Sequence, residues 1–76
     1  MRAIMYEINA YEKGYSETGD FRKAQCIPCG RGKKGKDKAV KRANEMWHTG
    51  KYEAVFVDAH NDEEIVDNEC VNIPTT

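Results

Sequence analysis

Two thiols stand close together in Cys26-Ile27-Pro28-Cys29-Gly30. Thiolates at C-x-x-C spacing, followed by a glycine that lets the turn close, form half of a tetrahedral zinc site. The other half does not come as a pair. His48, His60 and Cys70 are the remaining ligand types, and eleven residues separate the two histidines. A redox C-x-x-C opens a helix in a thioredoxin-like βαβ unit, which the pattern here does not supply. Cys26 and Cys29 are therefore weak metal candidates. A small zinc-knuckle protein is an alternative reading, and ordinary cysteines flanking a proline turn are favoured over it. No metal and no cofactor is expected.

Gly30-Arg31-Gly32-Lys33-Lys34-Gly35 satisfies the dinucleotide fingerprint G-x-G-x-x-G. That fingerprint works inside a parallel βαβ fold with room for a second half, and the chain soon ends. The same stretch fits G-x-x-x-x-G-K, but Asp37 follows where a Walker A loop needs a hydroxyl for Mg²⁺. Asp37 reads better as a helix cap. What survives is a physical possibility: main-chain N–H groups at a helix start, beside Lys33, Lys34 and Lys36, can hold an anion without catalysis.

No nucleophile, general base and orienting acid can be grouped from the sequence. His48 falls near a helix C-terminus, where a cation is favoured, and His60 reads as a turn residue. The acids Asp62, Glu63, Glu64 and Asp67 lack the spacing of an EF-hand loop. An enzyme is not expected.

The net charge of −1 conceals a strong division. Residues 1–20 sum to −2. Residues 21–51 carry ten Lys and Arg against only Asp37 and Glu45, a net of +8. Residues 52–76 carry seven acids and no Lys or Arg. The basic candidates for an anion- or nucleic-acid-binding face are Arg22, Lys23, Arg31, Lys33, Lys34, Lys36, Lys38, Lys41 and Arg42. The acidic candidates for a partner-binding face are Asp58, Asp62, Glu63, Glu64, Asp67 and Glu69. The competing expectation is that the two blocks neutralise each other in the fold. Six of the cations crowd the N-terminal end of one helix, where the macrodipole disfavours them.

The elements that must carry these residues follow from periodicity. Ile4, Tyr6, Ile8 and Ala10 alternate with Glu7, Asn9 and Tyr11, which reads as a half-buried strand. Residues 13–20 form a polar loop with two glycines. Residues 21–27 are expected as a second strand in a hairpin, ended or put on an edge by Pro28. Residues 30–36 read as a glycine–lysine loop. A helix of about three turns starts at an Asp37 cap, buries Ala39, Val40, Ala43, Met46 and Trp47, and stops at Gly50. Tyr52 to Ala59 is the strongest strand. His60-Asn61-Asp62 is expected to turn, and residues 64–71 to return as a fourth strand. Residues 71–76 read as a loose tail.

The expected fold is α+β: one domain over residues 1–76, in the order β-β-α-β-β, with an antiparallel sheet and one helix packed on one face. No apolar run approaches the ~20 residues that span a bilayer, and the N-terminal stretch is too short for a signal peptide. A cytoplasmic location is the expectation. Three cysteines make an odd number, which argues against a closed disulfide framework. In length, compactness and lack of catalytic residues the chain resembles the small accessory proteins of phages and other mobile elements, a likeness that carries no motif and no residue across. The favoured function is a non-enzymatic binding protein, such as an inhibitor, that docks on a larger host protein or nucleoprotein complex. The alternative is a nucleic-acid-binding module using segment 22–42. Against it stand the near-zero net charge and the lack of aromatic stacking platforms in the basic block.

Overall fold

The alternation in the first strand is realised directly. In the computed structural model, which describes residues 4–61 and 64–71, β1 (Met5–Glu12) buries Ile8 and Ala10 completely on one face. Glu7, Asn9 and Tyr11 occupy the other face, as period two requires. Three further strands join it: β2 (Ala24–Arg31), β3 (Tyr52–Asn61) and β4 (Glu64–Cys70). The order is β2-β1-β3-β4 with every neighbouring pair antiparallel. The expected α+β fold, one helix on an antiparallel sheet, is the observed one.

Both β2 and β3 run against β1, so they run parallel to each other with β1 between them. The long helix α2 (Gly32–His48) is the crossover that this direction demands. A short helix, α1 (Tyr15–Thr18), and a 3₁₀ turn (Phe21–Lys23) fill the β1–β2 connection. The face that α2 buries carries Gly35, Ala39, Ala43 and Met46. Three of these four are very small, so the helix lies close against the sheet. It packs on β1, β2 and β3. The core is correspondingly slight: Ile8 and Val55 are its largest fully buried side chains, with Cys29, Val57 and Met46 around them.

Several element boundaries differ from expectation, each for a physical reason. The helix begins at Gly32, capped by Arg31 in an extended conformation, and not at Asp37, which is an exposed residue of its second turn. The supposed loop is therefore mostly helix. Gly30 (φ 111°) and Gly32 (φ 69°) make the reversal from strand to helix. Gly35 serves a different need: a Cβ there would lie 2.4 Å from the carbonyl carbon and oxygen of Gly30. The three glycines of G-x-G-x-x-G thus form the joint that seats α2 on β2.

The second strand is Ala24–Arg31, shifted past the expected 21–27, and Pro28 lies inside it. Pro28 is tolerated because β2 is an edge strand and irregular at that point. Glu7 pairs with Pro28 and Tyr6 with Gly30, leaving Cys29 as the extra residue of a bulge. The chain does not turn at His60; β3 runs on through Asn61. Val71 does not belong to a loose tail: its N–H donates to the Val55 carbonyl at 2.8 Å and its side chain packs on the core. The rest of the expected tail, residues 72–76, lies outside the described residues.

Candidate functional site

The expected basic face is real as a surface, with two exceptions. Lys33, Lys34, Lys36, Lys38, Lys41 and Arg42 are all exposed on α2, and Arg31 is exposed at its cap. Residues three, four and seven apart share a helix face, so Lys34, Lys38 and Lys41 form one exposed row along the helix. The first turn holds Lys33 and Lys34, no acid and no side-chain cap. Each cation there opposes the macrodipole at a cost of a few tenths of a kcal/mol. The exceptions lie before β2. Arg22 is committed to Asp20, whose carboxylate accepts from its guanidinium at 3.1 and 3.0 Å. The same contact holds the Asp20 carboxyl below its ordinary range. Lys23 is half-buried, its stem beside Gly14.

The acidic face is smaller than the sequence implied. Asp67 and Glu69 are exposed on β4. Their register, opposite Ala59 and Val57, puts them on the helix side of the sheet. Asp58 is a correction. It is only 4 % exposed and points to the opposite face, where it accepts from the side-chain amides of Asn9 and Asn68. It serves the sheet and not a docking surface. Asp62 and Glu63 lie outside the described residues, and Glu64 is described only as the first residue of β4.

Among the described residues the two blocks form no ion pair with each other. Among the described residues the contacts between basic and acidic side chains are Arg22–Asp20 and His60–Glu7, and both lie outside α2 and β4. None of the α2 cations has a carboxylate partner within that set, and neither Asp67 nor Glu69 has a cation. The expectation of self-neutralisation therefore does not hold for the described residues.

The helix-free face of the sheet carries a polar cluster that the sequence reading missed. Glu7 contacts the His60 imidazole through one carboxylate oxygen and accepts from the Cys26 thiol through the other. Asn9, Asp58 and Asn68 continue the cluster across β1, β3 and β4. The signal is present in part: alternation puts Glu7 and Asn9 on one face, but only the strand pairing names their neighbours. Reading His60 as a turn residue hid it from β3.

This cluster does not read as a nucleophile site. The carboxylate stands between the thiol and the imidazole, so the ring cannot take the thiol proton directly. The hydrogen bond to Glu7, helped by partial burial and the nearby charges of Glu7 and Asp58, pushes the Cys26 thiol up to about 11. Since the thiolate is the reactive form, Cys26 is exposed yet unreactive near neutrality. The raised value also sets a sign. Its contribution to stability is complete below the ordinary thiol range and is lost as pH climbs through about 11. Replacing Glu7 by Gln removes the leading cause of the shift. Alkylation of Cys26 by iodoacetamide at mildly alkaline pH is expected to speed up roughly tenfold or more. Equal rates in the two proteins, followed by mass spectrometry, would show that Glu7 does not hold the thiol proton.

The C-x-x-C does not converge on a single ion. Cys26 belongs to the helix-free face, whereas Cys29 is buried under α2 with the core, its thiol pushed up by burial. Three steps along an extended strand span ~10 Å, and the two thiols leave opposite faces. Among the described residues no three His, Cys, Asp or Glu side chains are grouped to hold a metal ion. His48 sits at the exposed end of α2, its Nδ1 2.7 Å from the Asn44 carbonyl oxygen. The described residues form no pocket, and none of their helices is long and apolar enough to cross a membrane.

The lysine row itself holds no aromatic residue, and Phe21, in the 3₁₀ turn before β2, stands 83 % exposed. Tyr6, Trp47 and Tyr52 pack against the core. Tyr11, on the far side of the sheet, contacts Tyr15 and Phe56, with ring centroids 4.8 and 6.1 Å away. No protein family, curated protein or solved structure matches the chain.

Proposed function

We propose that the protein is a non-catalytic binding protein that docks on a larger protein or nucleoprotein complex through two oppositely charged surfaces, and that it inhibits by occupying a site its partner needs. One observation supports this reading above the others. The cations of α2 and the β4 acids Asp67 and Glu69 are exposed and lack ion-pair partners among the described residues, although a domain this small has little stability to spare. Charges left unspent within a fold are available to a partner, where complementarity governs association rate and partner choice. A nucleoprotein partner offers both signs: phosphates for the helix and a basic groove for the acidic strand. The high thiol pKa of Cys26, and the carboxylate between it and His60, support a non-catalytic reading.

The second reading is a nucleic-acid-binding module, favoured by the row of Lys34, Lys38 and Lys41. It implies phosphate contact only, since no described aromatic ring stands in that row to stack on a base.

Capture from a host lysate separates these readings. The baits are the wild type, the helix variant (Lys34, Lys38 and Lys41 to Glu) and the strand variant (Asp67 and Glu69 to Lys), each with and without nuclease. A partner retained after nuclease and lost from either variant is the expected result. A partner that binds both variants as well as the wild type would defeat the proposal.

A further inference from the structure

We infer that the outer edge of β4 accepts an added strand from a partner whose side chains alternate basic and apolar, an inference that rests on the docking reading above. β4 ends the sheet, and among the described residues no strand lies beyond it. Its outer main-chain groups are therefore a template for strand addition. The helix packs on the other three strands, so its contacts do not account for this edge. Two large apolar side chains are left exposed on the strand, Ile65 at 58 % and Val66 at 48 %.

The register defines what fits. Ala59 pairs with Asp67 and His60 with Ile65, so Val66 is the extra residue of a bulge. From Asp67 to Cys70 the ladder is regular. Asp67 and Glu69 share the helix-side face, while Asn68 and Cys70 share the other. A strand laid along this edge places its alternate side chains directly opposite the two carboxylates, about 5 Å away. A second β4 would set acids against acids, so the edge rejects its own copy. The β2 edge of a second copy fits poorly too. It offers Arg31 as its one charge, and Pro28 has no N–H to give. The charge complement of this edge is a foreign strand with Lys or Arg at every second position.

The probe is a synthetic peptide of about eight residues alternating Lys and Val, read by amide hydrogen exchange and two-dimensional NMR on the labelled protein. Outward-facing amides between Ile65 and Asn68 should exchange at least ~10-fold more slowly at saturating peptide. A peptide of the same composition with its lysines in one block should leave them unchanged. The Asp67→Lys, Glu69→Lys variant, checked for folding by circular dichroism, should lose the effect and respond to a Glu–Val peptide in its place. Equal slowing by the blocked peptide, or shifts confined to α2, would overturn the inference. So would slowing of these amides with protein concentration alone, which would make a second copy the occupant. Loss of partner capture by the strand variant, with no slowing by the alternating peptide, would keep the docking reading and overturn strand addition.

Discussion

Gly35→Ala is expected to destabilise the protein by about 3 kcal/mol or more, a large part of what so small a domain possesses. The added Cβ would lie 2.4 Å from the Gly30 carbonyl carbon and oxygen. Both sides of that contact are main chain, so no flexible side chain can swing aside. Relief requires lifting the first turns of α2 off β2, which uncovers Cys29 and Ala39. Gly32→Ala is the matched control. Its φ of 69° penalises a side chain, but open space surrounds the position, and a cost of about 1 kcal/mol is expected. Urea denaturation of the two variants decides the matter. If Gly35→Ala were no worse than Gly32→Ala, the helix would not be seated on the Gly30 backbone, and the lysine row would lose its fixed orientation.

Reversing Lys34, Lys38 and Lys41 to Glu is expected to weaken binding to a phosphate-bearing partner by at least ~100-fold at low salt. Three contacts are lost and three repulsions replace them. The salt dependence should change with the affinity: each phosphate contact removed lowers the log–log slope by about 0.9 on duplex DNA. Folding should survive, because all three positions are exposed and Lys34→Glu places an acid in a first turn that has none. Mobility shifts at two salt concentrations supply the measurement. Binding that is unchanged in the variant would remove α2 from the interface. Binding that is strong in the wild type, steep in salt and indifferent to protein would favour the nucleic-acid module over the docking protein.

The architecture was legible where apolar period was strong. Ile8 and Ala10 in β1, Val55 and Val57 in β3, and Ala39, Ala43 and Met46 in α2 fixed two central strands and the helix face. The misreadings share a cause: local residue preferences that tertiary contacts override. Glycines at 30, 32 and 35 suggested a loop, yet two turn the chain and the third lets the helix touch the strand. Pro28 suggested a strand end, yet an irregular edge strand accommodates it. Asp37 suggested a cap because it precedes the apolar stripe. The charged surfaces were legible as a run of residues but not as a pattern of pairing. Nothing in the sequence says that Arg22 closes on Asp20 or that Asp58 turns inward to two asparagines. Nor could spacing say that Cys26 and Cys29 leave opposite faces, because that depends on an extended chain where a turn was expected.

Among the described residues the fold holds the α2 cations apart from Asp67 and Glu69 and leaves both without ion-pair partners. The most direct test needs no partner: the stability of the wild type, by urea denaturation, as sodium chloride rises from ~20 mM to ~500 mM. Unpaired cations crowded on α2 repel one another and oppose its macrodipole, so screening should relieve them. Stability is expected to rise by about 1 kcal/mol over that range. Lys33→Glu with Lys34→Glu should raise it at low salt and flatten the dependence. A stability that falls as salt is added, and falls further when those lysines are reversed, would mean that the basic and acidic blocks hold each other together. The charged surfaces would then belong to the fold and not to a partner.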